Sequence, residues 1–156
     1  MLVIEPSTFR CLEAADAWEP LIAEYGAEAG VHGMPPPSVK REQYHALEDN
    51  GLIHVFRARV DGELVGYIIV LATAMPHYAG VQLAVSESFF VRRAFRHTGA
   101  GLKLLRAAED KAAALNCLGL IVSAPSQGTL AEVLPRRGFR ETNKIFFKPV
   151  RQVAHA

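Results

Sequence analysis

Arg96-His97-Thr98-Gly99-Ala100-Gly101 stands between an apolar run, Phe89-Phe90-Val91, and an amphipathic run from Leu102 to Leu115. That order predicts a strand that turns through glycines into a helix. Such a turn leaves several backbone N–H groups unpartnered, and the helix dipole adds partial positive charge at the same place. An anion, most naturally a phosphate, is well held there. From Phe89 to Arg106 the chain also carries Arg92, Arg93, Arg96, Lys103 and Arg106, and no acidic residue. Taken alone, these cations are a solvated loop and helix face; taken with the turn, they suit a polyphosphate.

Three phosphate-binding patterns use a turn of this kind. The dinucleotide fingerprint G-x-G-x-x-G needs a small residue at position 104, where Leu104 stands. The P-loop needs G-K-S/T, and Gly101 is followed by Leu102-Lys103-Leu104. The third pattern, R/Q-x-x-G-x-G/A, is matched in full by Arg96, Gly99 and Gly101. Ahead of it lie Glu87-Ser88-Phe89-Phe90-Val91 and the aromatic Phe95; further on come Arg137-Gly138-Phe139 and Phe146-Phe147-Lys148. On these residues the chain resembles the GNAT N-acetyltransferase superfamily over residues 52 to 149. The N-terminal third fits that family in layout only.

At 156 residues, half of them apolar, the chain suits one domain, residues 1–156, with a sizeable core. A formal charge of +1 argues against a surface wholly devoted to nucleic acid or anionic membrane. Cys11 and Cys117 form no C-x-x-C pair, so neither a metal site nor a disulfide framework is expected. The N-terminus lacks a basic start and a long apolar stretch, and the run from Gly66 to Met75 is far too short to span a bilayer. The expectation is a soluble, cytoplasmic protein.

Leu2-Val3-Ile4 reads as a short strand, and Phe9 to Gly30 as helical, broken or kinked at Pro20. Gly30 to Ser38, with Pro35-Pro36-Pro37, is a loop; Ser38 is expected to cap a helix ending at Asn50-Gly51. Leu52 to Val60 and Glu63 to Ala74 form a hairpin about Asp61-Gly62. In its second strand Val65, Tyr67, Ile69 and Leu71 are expected on one face, Ile68 and Val70 on the other, so helices should cover both sides. Val81 to Val91 is the next strand. The helix after Gly101 should bury Leu102, Leu105, Ala108, Ala112 and Leu115 and stop at Asn116. Leu118 to Val122 reads as a buried strand, Ser126 to Arg137 as a short helix, and Phe139 to Thr142 and Lys144 to Lys148 as the last strands. The fold class is α/β: a single GNAT-like domain with a mixed central sheet covered by helices on both faces, in the order β-α-α-β-β-β-α-β-α-β-β.

The resemblance implies an acyl-CoA-dependent N-acyltransferase that moves an acetyl group from acetyl-CoA to a primary amine, without a metal. It implies that the strands ending at Val91 and starting at Leu118 splay apart to admit the pantetheine arm. That arm would lie along the backbone of Phe89, Phe90 and Val91. The pyrophosphate would lie on Arg96, His97, Thr98, Gly99, Ala100 and Gly101, with Ser126 as a further donor. The Val91 N–H would serve the developing oxyanion. An alkyl ammonium, with pKa near ~10.4, lies about 3.4 units from neutrality at pH 7, a cost of roughly 4.6 kcal/mol, so a base is needed. Glu87 is the best candidate, a carboxylate expected on the same face as Phe89 and Val91. In related enzymes a Tyr often protonates the leaving thiolate; Leu134 stands at that position, and Tyr78 or His77 could replace it. The acceptor, a small molecule or a peptide amine, should bind between loops Val31 to Pro37 and Met75 to Gly80. Family likeness also implies a homodimer, which nothing in these residues demonstrates.

Two other classes compete. Ala124-Pro125-Ser126-Gln127-Gly128 approaches the G-x-S-x-G elbow of serine hydrolases but lacks its first Gly, and only Glu132, Glu141 and His155 follow it for a triad. A non-catalytic module could instead use the basic glycine loop to bind CoA, another polyphosphate or nucleic acid, a reading that the neutral net charge disfavours.

Overall fold

A computed structural model describes residues 1–151; of the histidines singled out above, His155 lies outside that range. The order is β1 (Leu2–Ser7), α1 (Phe9–Glu13), α2 (Trp18–Glu28), α3 (Arg41–Asp49), β2 (Ile53–Val60), β3 (Glu63–Ala74) and β4 (Gln82–Val91). After β4 come a 3-10 helix (Arg93–Thr98), α4 (Ala100–Ala114), β5 (Leu120–Ile121), α5 (Thr129–Val133) and a second 3-10 helix (Leu134–Arg137). The five strands form one mixed sheet in the order β1-β2-β3-β4-β5, antiparallel except for the parallel pair β4–β5. No helix among the described residues is long and apolar enough to cross a membrane.

Helices cover both faces, as the two-sided apolar pattern of β3 requires. On one face α4 packs Ala100, Leu104, Leu105, Ala108 and Ala112 against Ala58, Val65, Ile68, Val70, Ala84 and Val91. On the other, Phe9, Leu12, Trp18 and Leu21 of α1 and α2 pack against Ile53, Val55, Tyr67, Ile69 and Phe90. Val65 therefore lies opposite Tyr67 and Ile69, contrary to simple alternation. The cause is a bulge: Ala58 pairs with Gly66 and Arg59 with Leu64, so Val65 is an extra residue that shifts the parity. The stripe of α4 also differs from expectation. Leu104 is buried and Leu102 is exposed, because the small Ala100 and Ala108 set the contact ridge at four-residue spacing.

The hairpin turn is as expected: Asp61 and Gly62 both adopt positive φ (49° and 91°), the geometry of a two-residue type I′ turn. Pro20 does not break a helix, because it sits in the first turn of α2, where its missing N–H costs no bond. Ser38 caps nothing; α3 begins only after Lys40 and has no side-chain cap. Asn116 ends α4 in the left-handed region, with φ 58°.

The C-terminal third departs most. The expected strand from Leu118 to Val122 shrinks to two residues, with Leu118 79% and Ile121 44% exposed. Neither Phe139 to Thr142 nor Lys144 to Lys148 forms a strand. That segment has the side chains of a strand but no ladder partner, and β propensity without pairing leaves a chain merely extended. Ile145 and Phe146 stand 88% and 89% exposed, while Phe147 and Pro149 lie over Gly33.

Candidate active site

Glu87 decides the geometry. In the β3–β4 ladder Ile69 pairs with Ser88 and Val70 with Ser86, so Glu87 is an extra residue in β4. This bulge overturns the expected parity. Phe89 and Val91 pack on the α4 face, whereas Glu87 and Ser88 both turn to the opposite face, toward α1, α2 and α3. The bulge also reverses the backbone. Before it, the Ala84 N–H donates to the Gly119 carbonyl, so even-numbered residues face β5; after it, the Arg92 N–H donates to the Val65 carbonyl, so even-numbered residues face β3. The backbone groups of Phe89 and Val91 are thereby aimed at the β5 side. There the strands have already parted, for β4 and β5 pair only at Ala84–Leu120 and Val85–Ile121. Beyond Val85, β4 has no strand partner on that edge.

On the other face Glu87 meets a residue that sequence reading did not single out. The Tyr44 hydroxyl donates to both Glu87 carboxylate oxygens, at 2.9 and 2.8 Å. The Tyr44 ring stacks on Phe9, centroids 4.5 Å apart and 14° between planes. Glu87 is exposed as a residue, yet burial of its carboxylate pushes its pKa above the ordinary carboxylate range, a shift that the Tyr44 hydrogen bond opposes. Burial and the neighbouring Glu87 charge push the Tyr44 phenol well up, so it remains a donor. Beside them the Tyr67 hydroxyl and Ser88 Oγ lie 2.7 Å apart. These groups border a pocket of about 160 Å³ lined by Phe9, Trp18, Ile22, Tyr25, Pro37, Ser38, Val39, Tyr44, Tyr67, Ile69, Glu87 and Ser88. The expected loop Val31 to Pro37 thus reaches the site only through Pro37. The loop from Met75 to Gly80 does not line it. Tyr78, 63% exposed, is not brought to Glu87.

The glycine turn keeps its predicted form with one addition. A 3-10 helix intervenes between β4 and Gly99, held by the Thr98 hydroxyl, which donates to the Phe95 carbonyl at 2.6 Å. Gly99 has φ +82° and opens α4. The first i→i−4 bond of that helix runs from the Lys103 N–H to the Gly99 carbonyl, so the amides of Gly101 and Leu102 precede the ladder. Ala100 N–H is met by Thr98 Oγ1 at 3.3 Å. His97 is exposed. Ser126 is exposed in the turn after β5.

The arginines around the turn are already engaged. Arg96 Nε donates to the Val91 carbonyl at 2.9 Å, its Nη2 lies 2.6 Å from Glu28, and its guanidinium sits 5.4 Å from the Phe90 ring centroid. Arg92 pairs with Glu24 and Glu63, and Arg93 with Glu28. Burial works against the Glu24 charge, but the Arg93 amide and Arg92 guanidinium outweigh it and hold that carboxyl below its ordinary range. Arg96 thus pins the end of β4 with its side chain and leaves the turn its backbone. Phe90 likewise turns its ring away from the gap, against Tyr25. Leu134, where a hydroxyl was missed, is buried in the α4-side core. Among the described residues no group of three or more His, Cys, Asp or Glu side chains could hold a metal.

The model of the acetyltransferase (GNAT) family matches residues 16–139. No curated protein sequence matches the chain. Among solved structures, the ribosomal-protein-alanine N-acetyltransferase of Brucella melitensis biovar Abortus 2308 is 20% identical with a TM-score of 0.69, covering 94% of this chain and 96% of its own. The aminoglycoside acetyltransferase meta-AAC0020 from an uncultured soil metagenomic sample, in complex with trehalose, is 19% identical with a TM-score of 0.72, covering 96% and 97%. The aminoglycoside N-acetyltransferase AAC(6')-Iy, in complex with CoA, is 18% identical with a TM-score of 0.69, covering 96% and 99%. At these identities the likeness is one of fold.

Proposed function

Because the chain belongs to the acetyltransferase (GNAT) family and is therefore an acyl-CoA-dependent acetyltransferase, we propose that its acceptor is a primary amine that attacks the thioester directly. The observation that carries this reading is the bulge at Glu87, which aims a strand's backbone at one opening and its carboxylate at another. Acetyl-CoA supplies the activated acetyl group. The amides from Arg96 to Gly101 would take its pyrophosphate, and the backbone of Phe89 and Val91 its pantetheine arm. The N–H of Val91 faces the place where charge would develop on the thioester oxygen.

Glu87 takes the proton that the amine must lose. Its raised pKa makes it a better base than a surface carboxylate. The nitrogen then forms the C–N bond, the C–S bond breaks, the thiolate departs, and the nitrogen's second proton passes to water or to the departing sulfur, leaving a neutral amide. A thiol of pKa ~8.5 lies about 1.5 units above pH 7, so departure without an acid costs roughly 2 kcal/mol, less than the loss of the base. Leu134 is compatible with activity on that account. The two cysteines, both free, suit a reducing compartment such as the cytoplasm. The pairing of Arg92, Arg93 and Arg96 with carboxylates argues against a free basic surface for nucleic acid.

The test is calorimetric titration of acetyl-CoA into the protein and into Gly99→Glu. The substitution places a carboxylate at a residue with φ +82° on the anion turn. Micromolar binding that disappears in the variant is the expected result. Absence of binding by both, with both folded, overturns the reading.

A further inference from the structure

Resting on that reading, we propose that the acceptor is a compact amine carrying one positive charge and an apolar or aromatic remainder. Of the twelve residues that line the pocket, Glu87 is the one with a charged side chain, and no Lys, Arg or His is among them. Around it stand five aromatic rings, those of Phe9, Trp18, Tyr25, Tyr44 and Tyr67. A carboxylate in an aromatic wall is the environment that a single ammonium group prefers, since ring faces attract a cation and the carboxylate fixes its position.

Charge counting separates this acceptor from a polyamine. On the surrounding helices Glu13 lies against His45 and Arg41, Glu19 against Arg41, and Glu24 against Arg92, and neither Asp16 nor Glu42 lines the pocket. A second or third ammonium group inside the pocket would therefore lose its water with no second carboxylate among the lining residues to meet it, a costly burial. Size points the same way. About 160 Å³ is well below the roughly 300–1,000 Å³ of pockets that enclose drug-sized ligands. A long acceptor would have most of its length outside.

Trp18 is the single tryptophan of the chain and lines the pocket, so its fluorescence reports occupancy without turnover. The full chain is titrated with 2-phenylethylamine, with its uncharged counterpart 2-phenylethanol, and with spermidine. Saturable quenching by 2-phenylethylamine is expected, with 2-phenylethanol weaker by about tenfold or more and spermidine weaker still. Glu87→Gln should weaken the amine by a similar factor and leave the alcohol unchanged. No response to 2-phenylethylamine, or tighter binding of spermidine, overturns the proposal. Release of free thiol from acetyl-CoA is then followed with each amine and with a peptide N-terminus. Faster transfer to spermidine or the peptide overturns the proposal and keeps the transferase. Quenching by 2-phenylethylamine with the expected ranking, but no transfer to any amine, supports the pocket's preference and overturns the transferase reading.

Discussion

Glu87→Gln keeps the length and shape of the side chain and removes only its capacity to hold a negative charge or a proton. If Glu87 is the base, loss of general-base catalysis should lower kcat/KM by about 10²–10⁴-fold at pH 7. The loss should depend on pH in a defined way. An amine of pKa ~10.4 is neutral in about one molecule in 2,500 at pH 7, and that fraction rises about tenfold per pH unit. The variant, which must wait for neutral amine, should follow it with unit slope, so that about a hundredfold of the deficit returns by pH 9. Stability should move the opposite way. Burial raises the Glu87 pKa above that of the unfolded chain, so the group's favourable contribution is complete below the unfolded pKa and lost as pH rises through the folded one. At neutral pH the ionised carboxylate opposes folding, and Gln removes that cost. The variant should melt no lower than the parent at pH 7, with any advantage vanishing below about pH 4. Initial rates from pH 6 to 9, with melting curves from pH 4 to 8, test both. An activity loss below tenfold, a flat pH dependence in the variant, or a clear fall in melting temperature at pH 7 would falsify the assignment.

Three further outcomes follow from the same geometry. Tyr44→Phe removes the hydroxyl that bonds both Glu87 oxygens and leaves burial unopposed, so the acid limb of the kcat/KM profile should move to higher pH; a limb that stays put or moves down contradicts the coupling. Gly66→Ala places a Cβ 2.8 Å from the Phe90 carbonyl oxygen and 2.9 Å from Val91 Cγ2. Overpacking of this kind costs about 1–3 kcal/mol, or roughly 2–4 °C of Tm per kcal/mol in a chain of this size, which thermal melts will show. Glu28→Gln removes the charge 2.6 Å from Arg96 and 3.6 Å from Arg93. It should tighten acetyl-CoA binding by up to about fivefold at low salt, less at high salt; weaker binding in calorimetry would show that Glu28 holds the loop in shape instead.

The parts of the molecule legible in the sequence are those governed by local rules. Asp61-Gly62 specifies its turn, the β3 run demands two covered faces, and Arg96 to Gly101 specifies a glycine turn into a helix. Glu87 was legible as a candidate, but its direction was not, because one inserted residue inverts every later side chain. A signal was present: Ser86-Glu87-Ser88 puts three polar residues in succession, which alternation on a half-buried strand cannot accommodate. Tyr44 was missed because α3 is polar, although Tyr44 and Leu47, three residues apart, mark its inner side. Glu24 and Glu28, one turn apart on α2, were equally visible as a pair; that they would meet Arg92, Arg93 and Arg96 is a property of the packing. The last strands failed for the converse reason: Ile145 and Phe146 carry β propensity, but pairing is a long-range fact that propensity does not contain.

On the proposed reading, the bulge is what lets one strand serve two ligands at once. In a regular strand the backbone groups of alternate residues point to the same edge throughout, and β4 would offer β5 an unbroken ladder. With Glu87 inserted, the pairing that begins at Ala84 and Val85 is not continued, yet the groups of Phe89 and Val91 still face the widening gap. The same insertion swings the Glu87 carboxylate to the far face, beneath Tyr44. Donor and acceptor would thus approach the strand from opposite sides and meet at its irregular point, with Arg96 holding the Val91 carbonyl in place. Straightening β4 by deleting Glu87 would therefore remove more than a base. It would leave Phe89 and Val91 in register with β3 and on the β5 edge, but let a regular β4 continue its ladder with β5 and close the gap, at a cost in coenzyme binding as well as turnover, whereas Glu87→Gln should cost turnover and leave acetyl-CoA affinity intact.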